Sequence, residues 1–186
     1  MFVASMKARA QDWTALLSHR ELIHDLYVAS YQRLVLQLYP VTGDLGEAQE
    51  VVQEAFVKLL AAPSQVSTLG NPEAWLRTAA VNLARTRRRR GKVLQRLLGR
   101  AGTRSTDVPG ASPDHVALMA ALLTLPTGQR EAIALHYLAD LPITEVADLL
   151  KVSAGTVKSR LSRGRTALSR LLRESAPDDK PERVFT

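Results

Sequence analysis

The residues with the clearest chemical potential lie near the C-terminus, where hydroxyl and basic side chains recur at helical spacing. Between Lys151 and Arg173 there are seven lysines and arginines and no carboxylate. Hydroxyls and free N–H groups at a helix start can bind phosphate, and basic or hydroxyl side chains one turn apart can reach base edges. The pattern predicts a surface for duplex DNA, with a solvated basic helix as the alternative. The residues expected on it are Ser153, Thr156, Lys158, Ser159, Ser162, Arg163 and Arg165.

A second basic segment, residues 74–106, carries ten lysines and arginines and again no carboxylate. Its four consecutive arginines, Arg87–Arg90, continue an apolar helical pattern, which favours phosphate contacts over a solvated helix end. Two other residues in this segment each fit two roles. Trp75 is expected in the core rather than as a stacking platform, and Asn82 fits DNA contact and a buried helix end equally well.

The rest of the chain is acidic, since the remaining 130 residues hold 8 basic and 18 acidic groups within a molecule of net charge +7. Glu47, Glu50 and Glu54 follow one another at i, i+3 and i+7, with Gln53 beside them, and so share one helix face. An acidic face suits a basic protein partner rather than nucleic acid. The alternative is a solvated acidic helix face.

Helical periodicity covers most of the length, and strand signals are weak. A first helix ends near Pro40 and Gly43, a second begins after Asp44 and ends before Pro63, and a third opens at Asn71-Pro72 and runs into the arginines. Shorter helices are expected over 114–124 and after Pro126, Pro142 and Ser153. The stretch Pro142–Leu172 has the form of a helix-turn-helix, with the turn at 151–153 and Ser153 as N-cap.

The Gly-, Ser- and Pro-containing stretch 99–113 predicts a linker. We therefore expect an all-α chain of two small helical domains, 1–98 and 114–174, joined by a flexible linker and followed by a disordered tail, 175–186.

Composition narrows the function classes. The 186 residues include no cysteine, which excludes disulfides, thiol catalysis and cysteine-ligated metals. No apolar run approaches the roughly 20 residues of a membrane span, and the N-terminus is too polar for a signal peptide. The four histidines form no metal-ligand pattern, and no Gly-rich phosphate loop or nucleophile motif occurs. We expect a cytoplasmic protein that is not an enzyme, with no metal, cofactor, small-molecule substrate or membrane insertion.

Residues Leu125–Leu172 closely resemble region 4 of the extracytoplasmic-function sigma factors, a branch of the sigma-70 family. The most specific part is the run from Gly155 to Leu161 followed by Arg163 and Arg165. The resemblance implies that this helix reads the −35 duplex, and it adds Arg160 to the expected contacts. Two departures are Pro142, where the family often has serine, and Lys151, where it often has glycine. Lysine at a positive φ there would cost about 1 kcal/mol.

Residues 43–56 resemble region 2.2 of the same family, whose helix docks on the β′ clamp helices of RNA polymerase. The resemblance implies a polymerase-binding set that comprises Asp44, Glu47, Glu50, Gln53, Glu54 and Phe56.

Residues 71–90 resemble regions 2.3 and 2.4, with Thr86 where the family commonly has aspartate. The resemblance implies that this helix and the loop at about Pro63–Gly70 capture the melted −10 element and hold a flipped base. The expected contacts are Asn71, Arg77, Asn82, Arg85, Arg87, Arg88, Arg89 and Arg90.

Together these features predict a sigma factor that binds core RNA polymerase through the β′ clamp helices and β flap, binds promoter DNA, and is sequestered by an anti-sigma factor. The alternative is a stand-alone helix-turn-helix repressor or activator. A repressor would need a dimer interface, and none is obvious in the sequence.

Overall fold

The computed structural model describes residues 2–62, 69–98 and 112–175, and over these ranges the chain is helical without strands. The chain divides into two compact units, Met1–Ser105 and Thr106–Thr186. The predicted all-α, two-domain architecture is confirmed. Most of the predicted linker (99–113), residues 176–186 of the predicted tail (175–186) and residues 63–68 of the predicted −10 loop lie outside the described residues. Ser175, the first residue of the predicted tail, is the last residue of a helix.

The first unit consists of α1 (Phe2–Thr42), α2 (Leu45–Leu60) and α3 (Pro72–Leu98). As predicted, α1 ends between Pro40 and Gly43. The N–H of Gly43 donates to the carbonyl of Tyr39 at 2.8 Å, and Gly43 adopts φ 84°, a conformation that glycine reaches without steric cost.

The core of this unit is formed where the three helices meet. Fully buried side chains include Leu34 and Leu38 of α1, Val52 of α2, and Leu76 and Val81 of α3. Burying an aliphatic side chain of this size stabilises the folded state by about 1.5–3 kcal/mol, so these buried residues fix how each helix is rotated about its own axis. That rotation decides which polar residues of α2 and α3 face outward.

The second unit contains α4 (Pro113–Thr124), α5 (Thr127–Ile133), α6 (Ile143–Leu150) and α7 (Ala154–Ser175). A π-helical turn, Ala134–Leu138, continues α5, with the N–H of Ala139 donating to the carbonyl of Ala134 at 3.0 Å. The predicted short helices and the helix-turn-helix of α6 and α7 are present. The π-helical turn has no counterpart in the sequence prediction.

The turn between α6 and α7 contains the expected strained lysine. Lys151 adopts φ 52° and ψ 51°, the left-handed conformation, and its N–H bonds the end of α6. This conformation aims α7 so that Val157 and Leu161 enter the core, at 0% and 5% exposure.

Candidate nucleic-acid and polymerase interfaces

The first turn of α7 is held by side-chain capping. The N–H of Thr156 donates to Ser153 Oγ at 3.1 Å, which confirms Ser153 as the N-cap. The Ser153 and Thr156 hydroxyl oxygens are 2.9 Å apart, and both lie toward the solvent. The helix start therefore presents two hydroxyls in its first turn, an arrangement that can bind an anion.

The outward side of α7 carries its basic side chains, and we call it the α7 basic face. Lys158, Ser162, Arg163 and Arg165 are exposed, whereas Ser159 is partly covered. Arg163 Nε donates to Ser159 Oγ at 3.2 Å, so these two side chains are held together one helical turn apart. With Val157 buried on the opposite side, a duplex can approach the basic face without disturbing the core.

Arg160 lies at the edge of this face, in a cleft of about 540 Å³ between the start of α5 and the start of α7. A Cβ atom at Gly128 would stand 3.0 Å from Arg160 Cζ, so the guanidinium packs against the α5 backbone. The structure thus brings the predicted −35 residues to one side of the second unit, with Arg160 in its cleft.

The start of α3 is fixed by a cap and a network rather than by free side chains. The N–H of Ala74 donates to Asn71 Oδ1 at 3.0 Å, so Asn71 is the N-cap of α3, as predicted. The Arg77 side chain is only 12% exposed; its Nε donates to Gln37 Oε1 at 3.1 Å, and its Nη2 donates to Glu73 Oε1 at 3.3 Å. Arg77 therefore joins α3 to α1 in this conformation.

Farther along α3, the predicted −10 residues differ in exposure. Asn82, Arg89 and Arg90 are exposed, whereas Arg85 and Arg88 are partly covered. Because Asn82 is exposed in the middle of a helix, the alternative that it satisfies a buried helix end is wrong. Trp75 is half-buried, so the expectation that it lies in the core is only partly met.

The acidic face of α2, formed by Glu47, Glu50, Gln53 and Glu54, lies on the side of that helix away from the core. Asp44 caps the helix, accepting the N–H of Glu47 at 2.8 Å. The Glu50 side chain is 67% exposed, whereas burial raises the pKa of Glu47. Glu50, Gln53 and Glu54 are thus the accessible members of the predicted polymerase-binding set.

Phe56 differs from the rest of that set because it is only 5% exposed. Its ring packs edge to face against Tyr27, with centroids 5.0 Å apart. In this conformation Phe56 anchors α2 to α1 and presents no ring to a partner.

One contact joins the two candidate surfaces of the first unit. Arg87 of α3 reaches α2, where its Nη1 lies 2.6 Å from Glu50 Oε2 and its Nη2 lies 2.8 Å from Glu54 Oε2. The hydrogen bond from Arg87 holds the pKa of Glu54 below its usual value. Sequence reasoning missed this pairing because its partners are 37 and 33 residues apart, beyond the reach of any helical pattern.

Within the described ranges, no group of three or more His, Cys, Asp or Glu residues is placed to hold a metal ion. None of the helices in those ranges is both long enough and apolar enough to cross a membrane.

Comparisons with known proteins place each unit in a family. The family model described as "Sigma-70 region 2" matches residues 26–93, and the model described as "Sigma-70, region 4" matches residues 115–168. The "ECF RNA polymerase sigma factor SigW" of Bacillus subtilis (strain 168) is 30% identical over 160 residues, which cover 77% of this chain and 86% of the relative. The "ECF RNA polymerase sigma factor EcfG" of Rhodopseudomonas palustris (strain TIE-1) is 31% identical over 153 residues, covering 78% and 84%.

Solved structures agree with these relatives. The sigma factor RpoE in complex with the anti-sigma factor NepR, from Bartonella quintana, is similar with a TM-score of 0.67 and 26% identity, covering 82% of this chain and 98% of that one. CnrH in complex with the cytosolic domain of CnrY shares the fold, with a TM-score of 0.56 and 24% identity over 88% of this chain and 95% of that one.

Proposed function

Because the chain belongs to the extracytoplasmic-function sigma factors of the sigma-70 family, which act in promoter recognition, we propose that its two units read the two promoter elements. The second unit binds the −35 duplex, and the first unit binds core RNA polymerase and the melted −10 element. The observation that carries this proposal is the α7 basic face, where a capped helix start and the exposed Lys158 and Arg163 stand opposite a buried apolar side.

For the −35 element, Lys158, Ser159 and Arg163 are the proposed readers of base edges. Ser159 follows Lys158 directly and lies one helical turn before Arg163, a spacing at which one helix in a major groove reaches adjacent bases. Ser153 and Thr156 are proposed to bind phosphate, together with the free N–H groups of the first turn. Arg160 supports them from its cleft.

For the −10 element, the exposed Arg89 and Arg90 of α3 are the proposed backbone contacts. Unstacking a base costs a few kcal/mol, and phosphate contacts of this kind offset part of that cost. Asn71 and Arg77 are proposed to position α3 rather than to contact the DNA, because Asn71 caps the helix and Arg77 bonds it to α1. The base pocket itself is assigned to the loop at about Pro63–Gly70 by resemblance alone.

For the polymerase, Glu50, Gln53 and Glu54 of α2 are the proposed contacts with the β′ clamp helices, and the second unit is proposed to bind the β flap. The resemblance to a sigma factor solved with its anti-sigma factor supports an anti-sigma partner for this chain as well. Because its proposed partners include RNA polymerase and promoter DNA, we propose that the protein acts in the cytoplasm.

Reconstituted transcription with core RNA polymerase tests the −35 assignment. Arg163→Ala should lose about 1–3 kcal/mol of binding at one base position and relax preference there. Arg170→Ala is the matched control, since Arg170 is an exposed arginine two turns after Arg163 on the same helix and pairs with Glu174. Full promoter selectivity in Arg163→Ala would contradict the assignment. Operator binding without core enzyme, and no initiation with it, would favour a stand-alone repressor.

A further inference from the structure

The contact of Arg87 with Glu50 and Glu54 joins a proposed DNA contact to two proposed polymerase contacts. In the free protein the Arg87 guanidinium is ion-paired with both carboxylates, so neither they nor the guanidinium are available to another charged group without breaking a pair. Any basic partner that docks on Glu50 and Glu54 must therefore compete with Arg87. Any phosphate that binds Arg87 must compete with the same carboxylates.

We propose that Arg87 is a coupling residue that polymerase docking on α2 releases for contact with the DNA backbone. The inference rests on the proposed function, because it takes the acidic face as the polymerase surface and the arginine end of α3 (Arg87–Arg90) as a DNA surface. It adds a specific exchange of ionic partners, in which a basic group of the polymerase replaces Arg87 beside Glu50 and Glu54.

The exposure of the three side chains makes this exchange feasible. Arg87 is 35% exposed, Glu54 36% and Glu50 67%, so solvent and a partner can reach all three. Ion pairs at this exposure are weak, and a competing charge can displace them. A pair buried in the core would not exchange in this way, because each uncompensated charge would remain without water.

The neighbours of the contact are also arranged for exchange. Lys58 lies 3.5 Å from Glu54 Oε1, so Glu54 keeps one cationic neighbour when Arg87 leaves. On α3, the exposed Arg90 lies three residues after Arg87 on a neighbouring part of the helix surface, so a strand that reaches this end of the helix meets further positive charge. A released Arg87 therefore adds to an existing phosphate surface rather than creating one.

Coupling of this kind is reciprocal. If polymerase docking frees Arg87 and thereby strengthens DNA binding, DNA binding must strengthen polymerase docking by the same factor. Exposed ion pairs limit that factor to about two- to fivefold. A change of this size is a small part of the total binding free energy for either partner, and it favours the complex that contains both polymerase and DNA.

The first test measures the affinity of the full chain for core RNA polymerase. Arg87→Gln should raise this affinity by about two- to fivefold, because Glu50 and Glu54 lose their internal competitor. Arg89→Gln is the matched control. It removes the same charge two residues away, and Arg89 makes no ion pair within the described part of the chain, so its effect on polymerase affinity should be smaller.

The second test measures binding of the free protein to a fluorescent single-stranded −10 oligonucleotide. Glu50→Gln combined with Glu54→Gln should raise the affinity by about two- to fivefold, because Arg87 is released without polymerase. Adding Arg87→Gln to this pair should remove the gain. Circular dichroism confirms that each variant is folded.

The two tests separate the inference from the function on which it rests. If the wild-type chain binds neither core polymerase nor the oligonucleotide, the proposed function fails. If it binds both, but Arg87→Gln raises polymerase affinity no more than Arg89→Gln does, the exchange is wrong and the function stands. A lower polymerase affinity in Arg87→Gln would show that the pair only supports the fold of the surface, which also overturns the inference.

Discussion

Replacing Gly164 with alanine should loosen the contact that holds α7 on α5. Gly164 is buried in the middle of α7. A Cβ atom there would lie 2.6 Å from Ile133 Cδ1 and 3.3 Å from Gln129 Cβ. The first distance is far inside van der Waals contact, so Ile133 would have to move, and Ile133 is only 4% exposed.

Two effects of opposite sign decide the magnitude. Alanine improves the helix by about 0.8–1.0 kcal/mol relative to glycine. Overpacking a tight core costs about 1–3 kcal/mol, because the displaced side chain leaves its preferred rotamer or pushes the backbone aside. The difference favours net destabilisation of the second unit by about 1 kcal/mol. On the same helix, a Cβ added at Gly155 would have only Ser153 Oγ nearby, at 3.9 Å. Gly155→Ala therefore gains the higher helix propensity of alanine without a steric clash.

Amide hydrogen exchange of the full chain measures this difference. Peptides that cover α4 and α6 report unfolding of the second unit without contributions from residues 2–98. A loss of about 1 kcal/mol corresponds to roughly fivefold faster exchange in Gly164→Ala. Gly155→Ala should exchange at the wild-type rate or more slowly. Equal or slower exchange in Gly164→Ala would refute the argument that the glycine is required for close approach of α7 to α5.

Three further predictions test local features. Lys151→Gly should stabilise the second unit by about 0.5–1 kcal/mol in thermal unfolding, because it relieves a left-handed residue; Asp140→Gly, at the same φ of 52°, should gain less because aspartate tolerates that conformation. Asn71→Ala should destabilise the first unit by about 1 kcal/mol through loss of its cap, as measured by urea unfolding with tryptophan fluorescence; Asn71→Asp should retain most of that stability. The contact with Arg87 lowers the folded-state pKa of Glu54 below 4.5, so its stabilisation is complete above pH 4.5 and is lost as pH falls through the lower value. The Tm difference between wild type and Glu54→Gln should therefore be constant near neutral pH and shrink in acid; an unchanged difference there would contradict the pairing.

The features that sequence predicted well are local ones. Asp44, Asn71 and Ser153 were all predicted to start helices, and each accepts a backbone N–H two or three residues into its helix. A cap depends on residues within one turn, so a short stretch of sequence contains all the information that determines it. The left-handed Lys151 was predicted on a different basis, the resemblance to a family that often has glycine at this turn position.

The features that sequence did not predict depend on distant residues or on competing packing. Leu22 belongs to the apolar helical pattern of α1, yet it is 51% exposed. Conversely, Arg130 and Glu131 are buried at 6% and 3%, and Arg130 Nη1 donates to the carbonyl of Leu123 at 3.1 Å. Hydrophobicity gives the preference of a residue, but the helices that pack around it decide its burial.

The arginines of α3 show that neighbouring members of a run of like charges can differ in their contacts. Successive residues on a helix are turned by about 100°, so Arg87 and Arg89 point to nearly opposite sides. The core contacts of α3 turn Arg87 toward the carboxylates of α2 and leave Arg89 in solvent. Ten residues earlier, the same side-chain type at Arg77 is held between Gln37 and Glu73. The same side-chain type is therefore a link to α1 at Arg77, an ion-pair partner of α2 at Arg87 and an exposed charge at Arg89. The rotation of α3 about its axis, which is set by Leu76 and Val81 in the core, decides which contacts each arginine makes.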